Sequence, residues 1–74
     1  MIYWPAVAGA MQRRRWATRL ERAGPERLTV AAAADLLQLD RARFLEFLRG
    51  RLGLPLSLTS EVSRDSLVRS LRGS

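Results

Sequence analysis

The sequence contains no cysteine, no histidine and no lysine. Without cysteine no disulfide can staple a small chain, and without cysteine or histidine the ordinary zinc sites are excluded too. The same absences remove the usual nucleophile and base pairs. Serines at positions 57, 60, 63, 66, 70 and 74 run through the last part of the chain with no base of suitable type near them. Gly50 and Gly53 read as helix-ending residues rather than a phosphate-cradling loop. The carboxylates lie mostly beside arginines, and Asp35 and Asp40 are explained by cap and surface roles without a metal ion. The expectation is a protein that is not an enzyme and needs no cofactor and no metal.

Long apolar runs are missing as well. The apolar start MIYWPAVAGAM (1–11) falls well short of the ~20 residues that a bilayer span requires. Its basic cluster, Arg13, Arg14 and Arg15, follows the apolar stretch, whereas a secretory signal carries its charge first. Neither export nor membrane insertion is expected, which makes a cytoplasmic protein the expectation.

What the chain has in quantity is arginine. Thirteen basic residues face seven carboxylates, for a net charge of +6 at pH 7. The guanidinium fork suits bidentate phosphate and carboxylate contacts, and a strongly basic small domain is the electrostatic footprint of a nucleic-acid binder. A GC-rich coding sequence accounts for arginine in place of lysine, so the argument rests on net charge. At 74 residues the chain is one domain. A domain of that size hides only about 60% of the surface its unfolded form exposes. A lone monomer would be marginal, so a homodimer is expected.

Residues 28–55, LTVAAAADLLQLDRARFLEFLRGRLGLP, organise the rest. Thr29 is an N-cap for a helix over 30–37, where four consecutive alanines supply high helix propensity. Gln38, Leu39 and Asp40 are too few for anything but a turn. Asp40 is a second N-cap and its charge suits the positive end of a helix over 41–49, which Gly50 or Gly53 ends. Phe44, Leu45, Leu48 and Leu52 share one face, with Phe47 at its edge, and pack on Leu36, Leu37 and Leu39. Two short helices around a three-residue turn make a helix-turn-helix. The opposite face of the second helix presents Ala42, Arg43, Glu46 and Arg49. Arg41 and Arg43 stand in its first turn, where recognition helices make base contacts. Glu46 is awkward there unless it accepts from a cytosine amine.

Around this motif, Ile2, Tyr3 and Trp4 have strand propensity, and Pro5 confines such a strand to an edge or its own end. Tyr3 and Trp4 read as packing anchors before recognition aromatics. A helix starting at Ala6 or Ala10 runs to Ala23, with Trp16, Leu20 and Ala23 on one face and Arg15, Arg19 and Arg22 in a positive row. Gly24 and Pro25 stop it. The period-two leucines of 52–58 predict a short wing strand. Thr59 and Ser60 offer an N-cap to a terminal helix over 61–71, whose thin stripe of Val62, Leu67, Val68 and Leu71 needs something to lie on.

Leu28-Thr29, Ala33-Ala34, Leu37, Asp40-Arg41, Phe44-Leu45, Leu48 and Gly53-Leu54-Pro55 together resemble a family of small prokaryotic antitoxins, formerly catalogued as uncharacterised, and more loosely the excisionase-like antitoxins. The chain departs from the pattern in having Arg51-Leu52 before the glycine and a first part that is shorter and more basic. The resemblance implies a dimeric DNA-binding protein that regulates its own operon, with a terminal segment that blocks a cognate toxin.

The expected fold is therefore mainly α. Three to four short helices surround a helix-turn-helix, with a short N-terminal strand and a wing strand after the second motif helix. It is a single domain over 1–74, divided into a strand and basic helix (1–27), the motif (28–55), and a wing with a partner-binding helix (56–74). Arg41 and Arg43 would read bases in double-stranded DNA, with RNA left open. Arg13, Arg14, Arg15, Arg49 and Arg51 would contact phosphates. Trp4, Val62, Leu67, Val68 and Leu71 would meet a protein partner. The rival expectation is a non-enzymatic adaptor, or small subunit of a larger protein or protein–RNA assembly, whose apolar ends are docking surfaces.

Overall fold

The computed structural model describes residues 9–73. Within them the order is α1 (Ala10–Ala23), β1 (Arg27–Thr29), α2 (Val30–Leu36), α3 (Arg41–Leu52), β2 (Glu61–Ser63) and α4 (Arg64–Arg72), with β1 and β2 forming an antiparallel pair. The fold is mainly α, as expected. The strand expected over residues 2–4 lies outside the described residues.

Both caps that launch the motif form. Thr29 Oγ1 accepts from the Ala32 N–H at 3.0 Å, and Asp40 Oδ1 accepts from the Arg43 N–H at 3.0 Å. A seven-residue helix such as α2 has little stability of its own. Its remaining first-turn donors are satisfied from the other end of the chain: Val30 N–H donates to the Ser60 carbonyl at 3.1 Å and Ala31 N–H to the Leu58 carbonyl at 3.0 Å. Between the helices Gln38 takes a left-handed conformation, φ 60°. That is strained for a residue with a Cβ, and the surrounding turn fixes it: Gln38 N–H donates to Asp35 O at 3.0 Å and Leu39 N–H to Ala34 O at 2.8 Å. Helix α3 runs through Gly50 and stops at Gly53, whose φ of 67° suits glycine.

The core gathers side chains from every helix. Phe44 and Leu48 of α3 are fully buried in one cluster with Leu37, Val30, Ala33 and Ala34. Trp16 of α1 meets Phe44 and Phe47 edge-on, with centroids 6.3 and 5.7 Å apart and planes near perpendicular. From α1 come Trp16, Ala17 and Leu20. Ala23, expected on that face, is exposed. The buried arc passes through Ala17 instead: Trp16, Leu20 and Ala17 span it, and Ala23 falls just beyond its edge.

Two expectations for the second half are corrected. Residues 52–58 form no wing strand. Leu52 closes α3, Gly53 caps it, and Leu56 N–H folds back on Leu54 O at 2.8 Å. A strand needs a partner, and none pairs with 52–58 among the described residues; β1 pairs with β2, in the register Arg27 with Ser63, Leu28 with Val62 and Thr29 with Glu61. Thr59 and Ser60 cap no helix. They belong to a turn in which Ser57 N–H donates to Ser60 Oγ at 2.9 Å and Ser60 N–H to Ser57 O at 3.1 Å. The terminal helix consequently begins at Arg64, capped by Ser63 Oγ, which accepts from the Ser66 N–H at 3.0 Å.

Candidate nucleic-acid interface

Helix α3 leaves Arg41, Ala42, Arg43, Glu46, Arg49, Gly50 and Arg51 exposed, but its arginines are not equally available. Arg41 grips Asp35 with its fork: Nε donates to Oδ1 at 2.9 Å and Nη2 to Oδ2 at 2.6 Å. The pair ties the last turn of α2 to the first turn of α3. Arg49 Nε donates to the Leu56 carbonyl at 2.9 Å, and its Nη1 lies 3.3 Å from Glu46. Arg51 reaches the end of α4, where Nε donates to Ser70 O at 2.9 Å and Nη2 donates to Gly73 O. A cation on those unpaired helix-end carbonyls is a favourable C-terminal cap. Arg43, in the first turn, makes no ion pair or side-chain hydrogen bond among the described residues. Beside it the exposed face carries small residues at Ala42 and Gly50, with Glu46 one turn on, and an added Cβ at Gly50 would meet nothing within 4 Å.

The Asp35–Arg41 pair has a pH signature. The hydrogen bond from Arg41 holds the Asp35 carboxyl below its ordinary 3.8; desolvation opposes this and the charge of Arg41 adds to it. Arg41 is raised in turn, first by the same hydrogen bond. A carboxyl with a depressed folded-state pKa adds stability above its unfolded value and loses it as pH falls through the folded one. Urea midpoints should therefore fall less for Asp35→Asn than for the wild-type chain on going from about pH 5 to about pH 2. Equal losses for the two proteins would mean that the pair adds nothing to stability.

On α1, Arg13 is half-buried and already engaged, whereas Arg14 and Arg15 are exposed and unpaired among the described residues. With Met11, Thr18, Arg19 and Arg22 they line a shallow groove on the outer side of the helix. Arg19 and Arg22 are not among the contact residues that the sequence predicts. Their i, i+4, i+7 spacing with Arg15 is the signal that places them there.

The expected partner surface is placed differently. Trp4 lies outside the described residues, and Val62 is half-buried in β2. Leu67, Val68 and Leu71 are buried in the chain's own core, because α4 packs along α1. They offer a partner no surface while α4 stays docked. Asp40 caps α3 and Asp35 holds Arg41. No helix among the described residues is long and apolar enough to cross a membrane. No family model, no curated protein and no solved structure matches this chain.

Proposed function

We propose that the chain is a DNA-binding helix-turn-helix protein, a small transcription regulator of the antitoxin type, that reads sequence with α3. The observation that carries this reading is Arg43: a guanidinium with no ion-pair or hydrogen-bond partner among the described residues, in the first turn of a capped second motif helix, with small residues at Ala42 and Gly50 on the exposed face. A free fork can address the O6 and N7 acceptors of guanine without breaking a bond inside the protein. Arg41 would first have to release Asp35, and Arg49 would have to release the Leu56 carbonyl. Arg41 is therefore assigned as a brace of the turn and Arg43 as the reader. The charge of Glu46 is partly offset by Arg49 beside it.

One α3 covers only a few base pairs, so the reading includes two chains on half-sites about 34–36 Å apart. A tail that orders only on a toxin is not part of it, since Leu67, Val68 and Leu71 already pack inside the chain. The test is selection from a random duplex pool, followed by fluorescence anisotropy on the selected and scrambled duplexes, with stoichiometry from mass photometry. Arg43→Ala is expected to reduce the preference for the selected sequence by roughly 10- to 100-fold. Equal affinity of the wild-type protein for both duplexes would overturn the proposal.

A further inference from the structure

We propose that the outer face of α1 is a second docking surface, one that grips the phosphate backbone of double-stranded DNA without regard to sequence. The inference rests on the DNA-binding reading above and adds a surface outside the helix-turn-helix. It starts from where the excess charge resides. Arg27, Arg41, Arg49, Arg64 and Arg72 are each opposed by a carboxylate, namely Glu61, Asp35, Glu46, Asp65 and Glu21. Arg51 is held by carbonyls at the end of α4. Four of the arginines that remain unpaired among the described residues, Arg14, Arg15, Arg19 and Arg22, stand on the same side of α1. The one carboxylate on that helix, Glu21, is turned to Arg72 of α4, at 2.5 and 3.1 Å. The basic character of the chain is thus concentrated along one helix, where no acid among the described residues forms an ion pair with it.

The geometry favours a regular polyanion. Arg15, Arg19 and Arg22 rise along one line of the helix over about 10 Å, and Thr18, whose hydroxyl accepts from Arg72 Nη2 at 3.5 Å, stands beside them. Guanidinium groups spaced along a rigid rod match a strand of phosphates better than they match an isolated anion. An anionic membrane is the competing polyanion, but a helix that lies on a bilayer must bury an apolar face in it. The apolar face of α1, Trp16, Ala17 and Leu20, is already buried in the core, and Met11 alone is a large exposed hydrophobic on this helix. The duplex is the occupant these observations select.

The test compares the full chain with the triple variant Arg15→Gln/Arg19→Gln/Arg22→Gln, and with the charge-preserving variant Arg15→Lys/Arg19→Lys/Arg22→Lys, on DNA duplexes at several salt concentrations. Each phosphate that is no longer neutralised lowers the slope of log affinity against log salt by about 0.9. The glutamine variant should therefore show a slope shallower by about three units, and its affinity should fall ~40-fold less than that of the wild type between about 50 and about 200 mM salt. The lysine variant should keep the wild-type slope, and all three proteins should melt alike, since these side chains are exposed. The ratio of affinities for selected and scrambled duplex should not change in the glutamine variant. An unchanged slope in that variant overturns the proposal while leaving the assignment of Arg43 intact. A reduced slope in a protein with no sequence preference supports the α1 surface and overturns the reading of α3. Loss of binding to phosphatidylserine vesicles without any loss on duplexes would assign the face to membranes and overturn it as well.

Discussion

Phe44→Ala should lower the stability of the chain sharply and shift its urea midpoint toward zero. Phe44 is fully buried, and the edge-on contact with Trp16 makes it the junction between α1 and α3. Truncating a buried phenylalanine to alanine costs about 3–5 kcal/mol, from forfeited transfer energy and from the cavity left behind. A domain of this length has a total stability of only about 4–11 kcal/mol. The substitution thus removes a large share of what a marginal chain has, and no disulfide limits the consequence. Phe44→Leu, which keeps much of the volume, should lose distinctly less. Urea titration followed by far-ultraviolet circular dichroism distinguishes the two. An alanine variant whose midpoint matches that of the wild type would show that the helix-turn-helix does not depend on this junction.

What could be read from the sequence and what could not divide along the distance over which the controlling contacts act. The caps at Thr29 and Asp40 each satisfy an N–H three residues on, and Gly53 ends α3 through its own backbone freedom. Such contacts are written in neighbouring residues, and so is the period that buries Phe44 and Leu48. The sheet is different. Strands of three residues carry no usable alternation, and Arg27 pairs with Ser63 across two intervening helices. The alternating leucines of 52–58 imitate a strand because period two says nothing about whether a partner edge exists. In the candidate interface the exposed arginines are legible as exposed arginines. Their partners are not: Asp35 can be guessed as a neighbour of Arg41, but the Leu56, Ser70 and Gly73 carbonyls that hold Arg49 and Arg51 come from tertiary packing. A count of arginines therefore overstates the cationic surface of α3 and understates that of α1, where the pairing acids are absent.

The last helix carries the other large expected effect. By hydrogen exchange, the amides of Val68 and Leu71 in α4 should be protected to nearly the same degree as those of Phe44 and Leu48 in α3. Nine residues make a poor helix in isolation, so this protection must come from its attachments, which lie at both ends and along one side. Ser63 caps its start and Arg64 Nη1 donates to the Gly24 carbonyl at 2.9 Å, while Arg51 of α3 grips its last carbonyls. Leu67 and Leu71 fill the space against α1 and are buried almost completely. Because α1 and α4 share this seam, Leu67→Ala should cost about 2–5 kcal/mol and lower protection in both helices together. If α4 instead exchanged freely while α3 stayed protected, and Leu67→Ala left the midpoint in urea where it was, the helix would be a separable tail. Leu67, Val68 and Leu71 would then be free to serve a protein partner, the role that their thin apolar stripe predicts from sequence.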